Sequence, residues 1–142
     1  MNPLSYSSSL HLQDRRHLER IFFFNQSQPR YHERIVAAIE LYSKPVVVVE
    51  GEKVFLAFED RAVGQSLHVF EETAKGRLFL GALLYTRDRP ERVTIAHIAL
   101  RERCRHNFQI LTQIAEDLRK NFRRIQGVRE LHFFYAGRTL RV

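Results

Sequence analysis

The chain predicts a mixed α+β fold, and three observations predict it. Apolar residues recur at helical spacing in two N-terminal stretches. A middle section alternates short β-branched and aromatic runs with hairpin-length turns. One long amphipathic helical pattern then lies between two strand patterns, which suits a crossover between parallel strands.

Met1 to Leu10 is polar and serine-rich, and is expected to be mobile. A first helix is expected over about Leu12 to Phe23, where Leu12, Leu18, Ile21 and Phe22 recur near helical spacing. The run Ile21-Phe22-Phe23-Phe24 is too apolar for a solvent face and reads as a core plug, or as an interface. Asn25 to Pro29 breaks the pattern, and Pro29 suits the first turn of a second helix. Tyr31, Ile35, Ala38, Ile39 and Tyr42 line one face of that helix, which Pro45 ends.

Pro45 to Glu50 and Lys53 to Glu59 read as strands about a Gly51-Glu52 turn. Val46 to Val49 is apolar on both faces, as in a central strand. Leu67 to Glu71, Arg77 to Thr86 and Arg92 to Leu100 continue an antiparallel sheet of about five strands. A polar turn, Arg101 to Asn107, leads to a helix from Phe108 to about Ile125. Its apolar stripe is Phe108, Leu111, Ile114, Ala115, Leu118, Phe122 and Ile125. Gly127 stops it, Val128 to Tyr135 is the return strand, and Ala136 to Val142 is a basic tail or edge strand. The chain therefore reads as one domain, 1–142, with 1–10 flexible.

Composition narrows the function classes. Apolar residues at 44% and charged residues at 27% are ordinary globular values. No apolar run approaches the roughly 20 residues of a membrane span, and Met1 to Leu10 lacks the pattern of a signal peptide. With Cys104 alone no internal disulfide can form, and a cytoplasmic location is expected. The net charge is +7, and of 23 basic residues only four are lysine. Arginine pairs bidentately with phosphate, so nucleic acid or an acidic protein are partner classes, although the charges are spread along the chain.

Several groups could carry chemistry. A strand, the arginine-laden turn and a helix N-terminus together form a potential phosphate site. Cys104 sits among Arg101, Arg103 and Arg105 near a helix N-terminus, which would lower its thiol pKa, so it reads as a candidate reactive thiol or as a small turn residue. His68, His97 and His132 all fall in strands and could share a sheet face, but no spacing suggests a metal site, and none is expected.

The order of elements resembles the GNAT superfamily of acyl-CoA N-acyltransferases over about Gln28 to Tyr135. The best piece is Gly81-Ala82-Leu83-Leu84-Tyr85, a turn, Val93 to Leu100, and the following helix. The family's Arg/Gln-x-x-Gly-x-Gly/Ala loop aligns with Arg103-Cys104-Arg105-His106-Asn107-Phe108, where His106 and Phe108 replace the glycines. The resemblance implies two helices, a meander, a crossover helix and a parallel strand, with acetyl-CoA or another acyl-CoA as donor to an amine. It implies that Ile98 to Leu100 face the pantetheine arm and thioester. Arg103, Arg105, His106 and Asn107, with the helix N-terminus, would face the pyrophosphate. His97 would be the base and Tyr135 the acid returning a proton to the thiolate. The alternatives are a GNAT-like fold without acyl-CoA binding, and an unrelated chain of similar element order. Besides an acyltransferase, the function classes are a non-catalytic arginine-rich binding protein for nucleic acid or an acidic protein partner, and a homo-oligomeric interaction module such as a homodimer.

Overall fold

The computed structural model describes residues 2–23, 31–60, 64–105 and 107–142. They form a mixed α+β fold of two sheets and four α-helices. The larger sheet has six strands in the order β1 (Leu4–Ser7), β5 (Gln65–Thr73), β6 (Gly76–Arg89), β7 (Arg92–Leu100), β8 (Glu130–Phe133) and β9 (Arg138–Arg141). The smaller has three, β2 (Leu10–His11), β4 (Lys53–Phe58) and β3 (Pro45–Glu50). A 3-10 turn, Leu12–Asp14, leads into α1 (Arg15–Phe23), and α2 (His32–Tyr42) precedes β3.

Two cores lie on opposite faces of the large sheet. Leu80, Leu83, Val93 and Ile95 pack on Ile110, Ile114, Leu118 and Phe122 of α4 (Phe108–Arg123). Phe79, Ala82, Leu84 and Ala96 pack on Leu18, Ile21 and Phe22 of α1 and on Leu56 and Phe58 of β4. The period-2 alternation of β6 thus feeds both layers, as a strand covered on both sides requires.

Several expectations are corrected. Leu4–Ser7 is not a mobile segment but an edge strand paired antiparallel with β5, and Tyr6 fixes it to α4 by donating to Asp117 Oδ2 at 2.7 Å. The five-stranded meander divides, because the β3–β4 hairpin joins β2 in a sheet of its own. β3 is consequently an edge strand, and its second apolar face is needed because Val46 and Val47 line a cleft. The stripe of α4 runs at i, i+4 from Ile110 rather than from Phe108, which is 81% exposed. The turn after β7 contains a short helix, α3 (Glu102–Arg105). Phe22 is a core plug as read, and Phe24 and Pro29 lie outside the described residues.

The element that positions the site is the parallel pair β7–β8, joined through α4. Its register runs from Arg92 opposite Glu130 to Ile95 opposite Phe133. The Phe134 N–H donates to the Ile95 carbonyl at 3.1 Å, and the chain then turns through residues 134–137 into β9. β7 runs on to Leu100 while β8 has ended, so among the described strands none pairs with the outer edge of β7 beyond Ile95.

Candidate functional site

A cleft of about 810 Å³ opens where β7 and β8 part. Ile95, Ile98, Ala99 and Leu100 of β7 form one wall, and Phe133, Phe134 and Tyr135 at the end of β8 form the other. Leu111 of α4, Tyr31 at the N-cap of α2, Ile35 and Ile39 of α2, and Val46 and Val47 of β3 also line it. The cleft lies within the usual range for small-molecule sites, and its lining is predominantly apolar, as in most such sites.

At the fork the structure joins two residues far apart in sequence. His97 Nδ1 and the Tyr135 hydroxyl are 2.8 Å apart, and His97 Nε2 lies 3.0 Å from the Ser43 carbonyl. A carbonyl only accepts, so Nε2 carries the proton. Nδ1 is then the lone-pair nitrogen, and Tyr135 donates to it. His97 is fully buried, and burial lowers its pKa, which keeps it neutral near pH 7. Burial also raises the Tyr135 phenol.

A β-bulge aims His97. Between Tyr85–Ile95 and Leu84–His97 the β6–β7 register shifts, leaving Ala96 as the extra residue. In strict alternation His97 would share the α4 face with Val93 and Ile95. The bulge instead puts it on the face of Ala96, beside Phe58 and the end of α2. Bulges re-aim side chains in this way.

The second anchor is Ser43, which ends α2. It has φ 83° and ψ 163°, a region nearly exclusive to glycine, and no other non-glycine described residue has positive φ. Three bonds hold it there. Its N–H donates to the Ile39 carbonyl at 2.9 Å, its Oγ accepts from the Asp60 N–H at 3.3 Å, and its carbonyl accepts from His97.

α2 also braces the turn that carries Tyr135. Arg34 donates to the Phe134 carbonyl, with its guanidinium 4.7 Å from the Phe134 ring centre. Tyr31 stacks on Tyr135 at 6.4 Å, and Tyr42 meets Phe134 edge-on at 5.6 Å.

Of the residues singled out from sequence, Ile98 and Leu100 line the cleft, and His97 and Tyr135 form the pair at its fork. Arg103 points elsewhere, into an ion pair with Glu71 of β5. Asn107 caps α4, its side chain accepting from the Ile110 N–H at 3.2 Å. His106 and the side chain of Arg105 lie outside the described residues. Around that turn the Cys104 N–H donates to the Arg101 carbonyl and the Asn107 N–H to the Cys104 carbonyl. With the Ile110 N–H also engaged, three amides that a pyrophosphate would use are already bonded.

Cys104 is buried in the core, and burial raises its thiol pKa, the opposite of the shift expected for an exposed thiol among arginines. The strand histidines do not converge. His68 bridges the Leu56 N–H and the Ser7 carbonyl, and His132 meets Thr139 Oγ1 at 2.8 Å. Among the described residues no group of three His, Cys, Asp or Glu could hold a metal. Nor is any described helix long and apolar enough to cross a membrane.

Many arginines are engaged within the fold. Arg87 donates to the Pro90 and Gln126 carbonyls, Arg101 to Phe79, and Arg119 to Arg141. Arg15, Arg77 and Arg92 pair with Glu19, Glu72 and Asp88. Guanidinium groups held this way are less available to an external phosphate.

Sequence reasoning missed Ser43, whose unusual backbone has no local signal, and the cleft role of Tyr31, Ile35 and Ile39, whose helical spacing reads equally as a core face. No protein-family model matches the chain, and no curated protein matches its sequence.

Proposed function

We propose that the protein is a GNAT-like N-acyltransferase that moves an acyl group from an acyl-CoA thioester to an amine. The observation that carries this reading is the fork. A parallel strand pair separates beside an apolar cleft, so that beyond Ile95 no described strand pairs with β7 on the side away from β6, and a Tyr–His pair stands where the strands part. The open strand edge suits the amides of a pantetheine arm, and the cleft suits the acyl group.

In the reaction the amine attacks the thioester carbonyl, a C–N bond forms and the C–S bond breaks. The amine loses one proton, and the departing thiolate needs one. Tyr135 takes the amine proton on its oxygen while passing its own to His97 Nδ1. The resulting imidazolium is held by two acceptors, Ser43 and Tyr135, and the relay returns a proton to the thiolate. Neutral His97 starts in the form that can accept.

The donor's phosphate end fits less well, because Arg103 is paired with Glu71 and neighbouring amides are bonded. Affinity should therefore come mainly from the acyl and pantetheine end. Calorimetric titration with acetyl-CoA and octanoyl-CoA, with free coenzyme A in parallel, tests the reading. Micromolar binding of an acyl-CoA is expected. Absence of heat and of competition at millimolar concentration for every thioester would remove it.

A further inference from the structure

We infer that the cleft is an alkyl-chain site, whose occupant is an acyl chain of medium length with its carbonyl end at the His97–Tyr135 pair. The identity of the head group rests on the acyltransferase reading, whereas the chain rests on the cleft alone.

The first argument is size. An acetyl group has three heavy atoms, and in a cleft of about 810 Å³ it would leave most of the apolar wall against water. The second is the position of exposed apolar side chains. Phe23, Tyr31 and Ile39 are large hydrophobics left exposed among the described residues, and all three line this cleft. Side chains left open along a concave wall call for an apolar occupant.

The third argument is how little polarity the occupant would meet. The Tyr135 hydroxyl is already donated to His97. Arg15 and Glu19, both partly exposed, pair with one another at 2.9 Å. Of the charged lining residues, only Lys44 forms no ion pair among the described residues. The lining therefore matches a molecule that is apolar along its length and carries at most one polar or anionic end. A medium-length acyl chain is such a molecule.

The experiment is calorimetry of the full chain with saturated fatty acids from hexanoic to dodecanoic, which probe the chain site without coenzyme A. Each added methylene should tighten binding about fourfold until the cleft is filled. Ile39→Asn, at a 38% exposed cleft position, should weaken binding about tenfold. Leu41→Asn, on the same helix but 67% exposed and outside the lining, should leave it unchanged. Val46→Thr gives a second cleft variant should Ile39→Asn melt early.

A series flat in chain length would overturn the inference, and acetyl-CoA binding would then leave the acyltransferase reading standing. Steep chain dependence for the free acids without binding of any acyl-CoA would sustain the chain site and remove the acyltransferase. Failure of every acid to bind would overturn the inference. If sedimentation then shows a dimer that Ile39→Asn dissociates, the occupant is a second copy of this chain.

Discussion

Tyr135 donates its hydroxyl proton to His97 Nδ1 across 2.8 Å, linking the turn after β8 to the bulged stretch of β7. The same imidazole donates from Nε2 to the Ser43 carbonyl, so one buried ring ties β7, α2 and the β8–β9 turn together. Structure and proposed chemistry thus share the same atoms, and removing one partner should affect both.

Tyr135→Phe leaves a buried imidazole nitrogen without its donor. Loss of about 1–3 kcal/mol of stability is expected by urea denaturation. Turnover with the best acyl-CoA should fall roughly a hundredfold or more, the scale of a lost proton relay. A stability loss with unchanged turnover would confine Tyr135 to a structural role.

His68 makes the fold acid-sensitive. It bridges the Leu56 N–H and the Ser7 carbonyl, and burial lowers its pKa from 6.5 to about 4. Between those values the unfolded chain binds the proton and the folded chain resists it. Stability is therefore whole above the unfolded pKa and falls as pH drops from about 6.5 towards 4. The loss should be on the order of 2–3 kcal/mol near pH 4.5. His97 acts in the same direction. Urea midpoints between neutral pH and pH 4.5 measure the effect, and His68→Asn should flatten much of the acid limb. An unchanged limb in that variant would assign the sensitivity to other groups.

The helix α4 and its crossover were legible because an amphipathic helix between two strand patterns leaves few topologies. Ile98 and Leu100, which only the family resemblance set beside a ligand, line the cleft. The orientation of His97 was not, since period-2 alternation assigns it to the α4 face and only the extra residue at Ala96 reverses this. The valine run of β3 misled for a related reason. Two apolar faces mean a central strand when both are covered by core, but here one packs on the core and the other faces the cleft. Phe108 misled through register, because the buried stripe falls at the four-residue spacing of Ile110, Ile114, Leu118 and Phe122.

Cys104 should be inert in the native protein. It is buried, its thiol pKa is raised, and it packs in the α4-side core beside Leu100 and Ile110. An aromatic disulfide reagent should react with less than about a tenth of the thiol under native conditions and with all of it in denaturant. Rapid native labelling would show that α3 opens readily and that the arginine turn is exposed in solution.

Ser43 gives the most specific test of how the site is held. Its φ of 83° with ψ of 163° is a conformation that side chains oppose through their Cβ, at a cost on the order of 1–3 kcal/mol. Glycine has no such penalty. Ser43→Gly should therefore raise stability by about 1 kcal/mol, less a small loss because Oγ no longer accepts from the Asp60 N–H. The bond to His97 uses the backbone carbonyl and survives the substitution. Ser43→Ala separates the two effects, because it keeps the Cβ and loses the same Oγ bond, and it should be slightly destabilising. Thermal melts of the three proteins should therefore rank glycine above serine and serine above alanine. A glycine variant no more stable than alanine would mean that Ser43 does not hold this strained conformation in solution, and the placement of the carbonyl that fixes the His97 tautomer would fall with it.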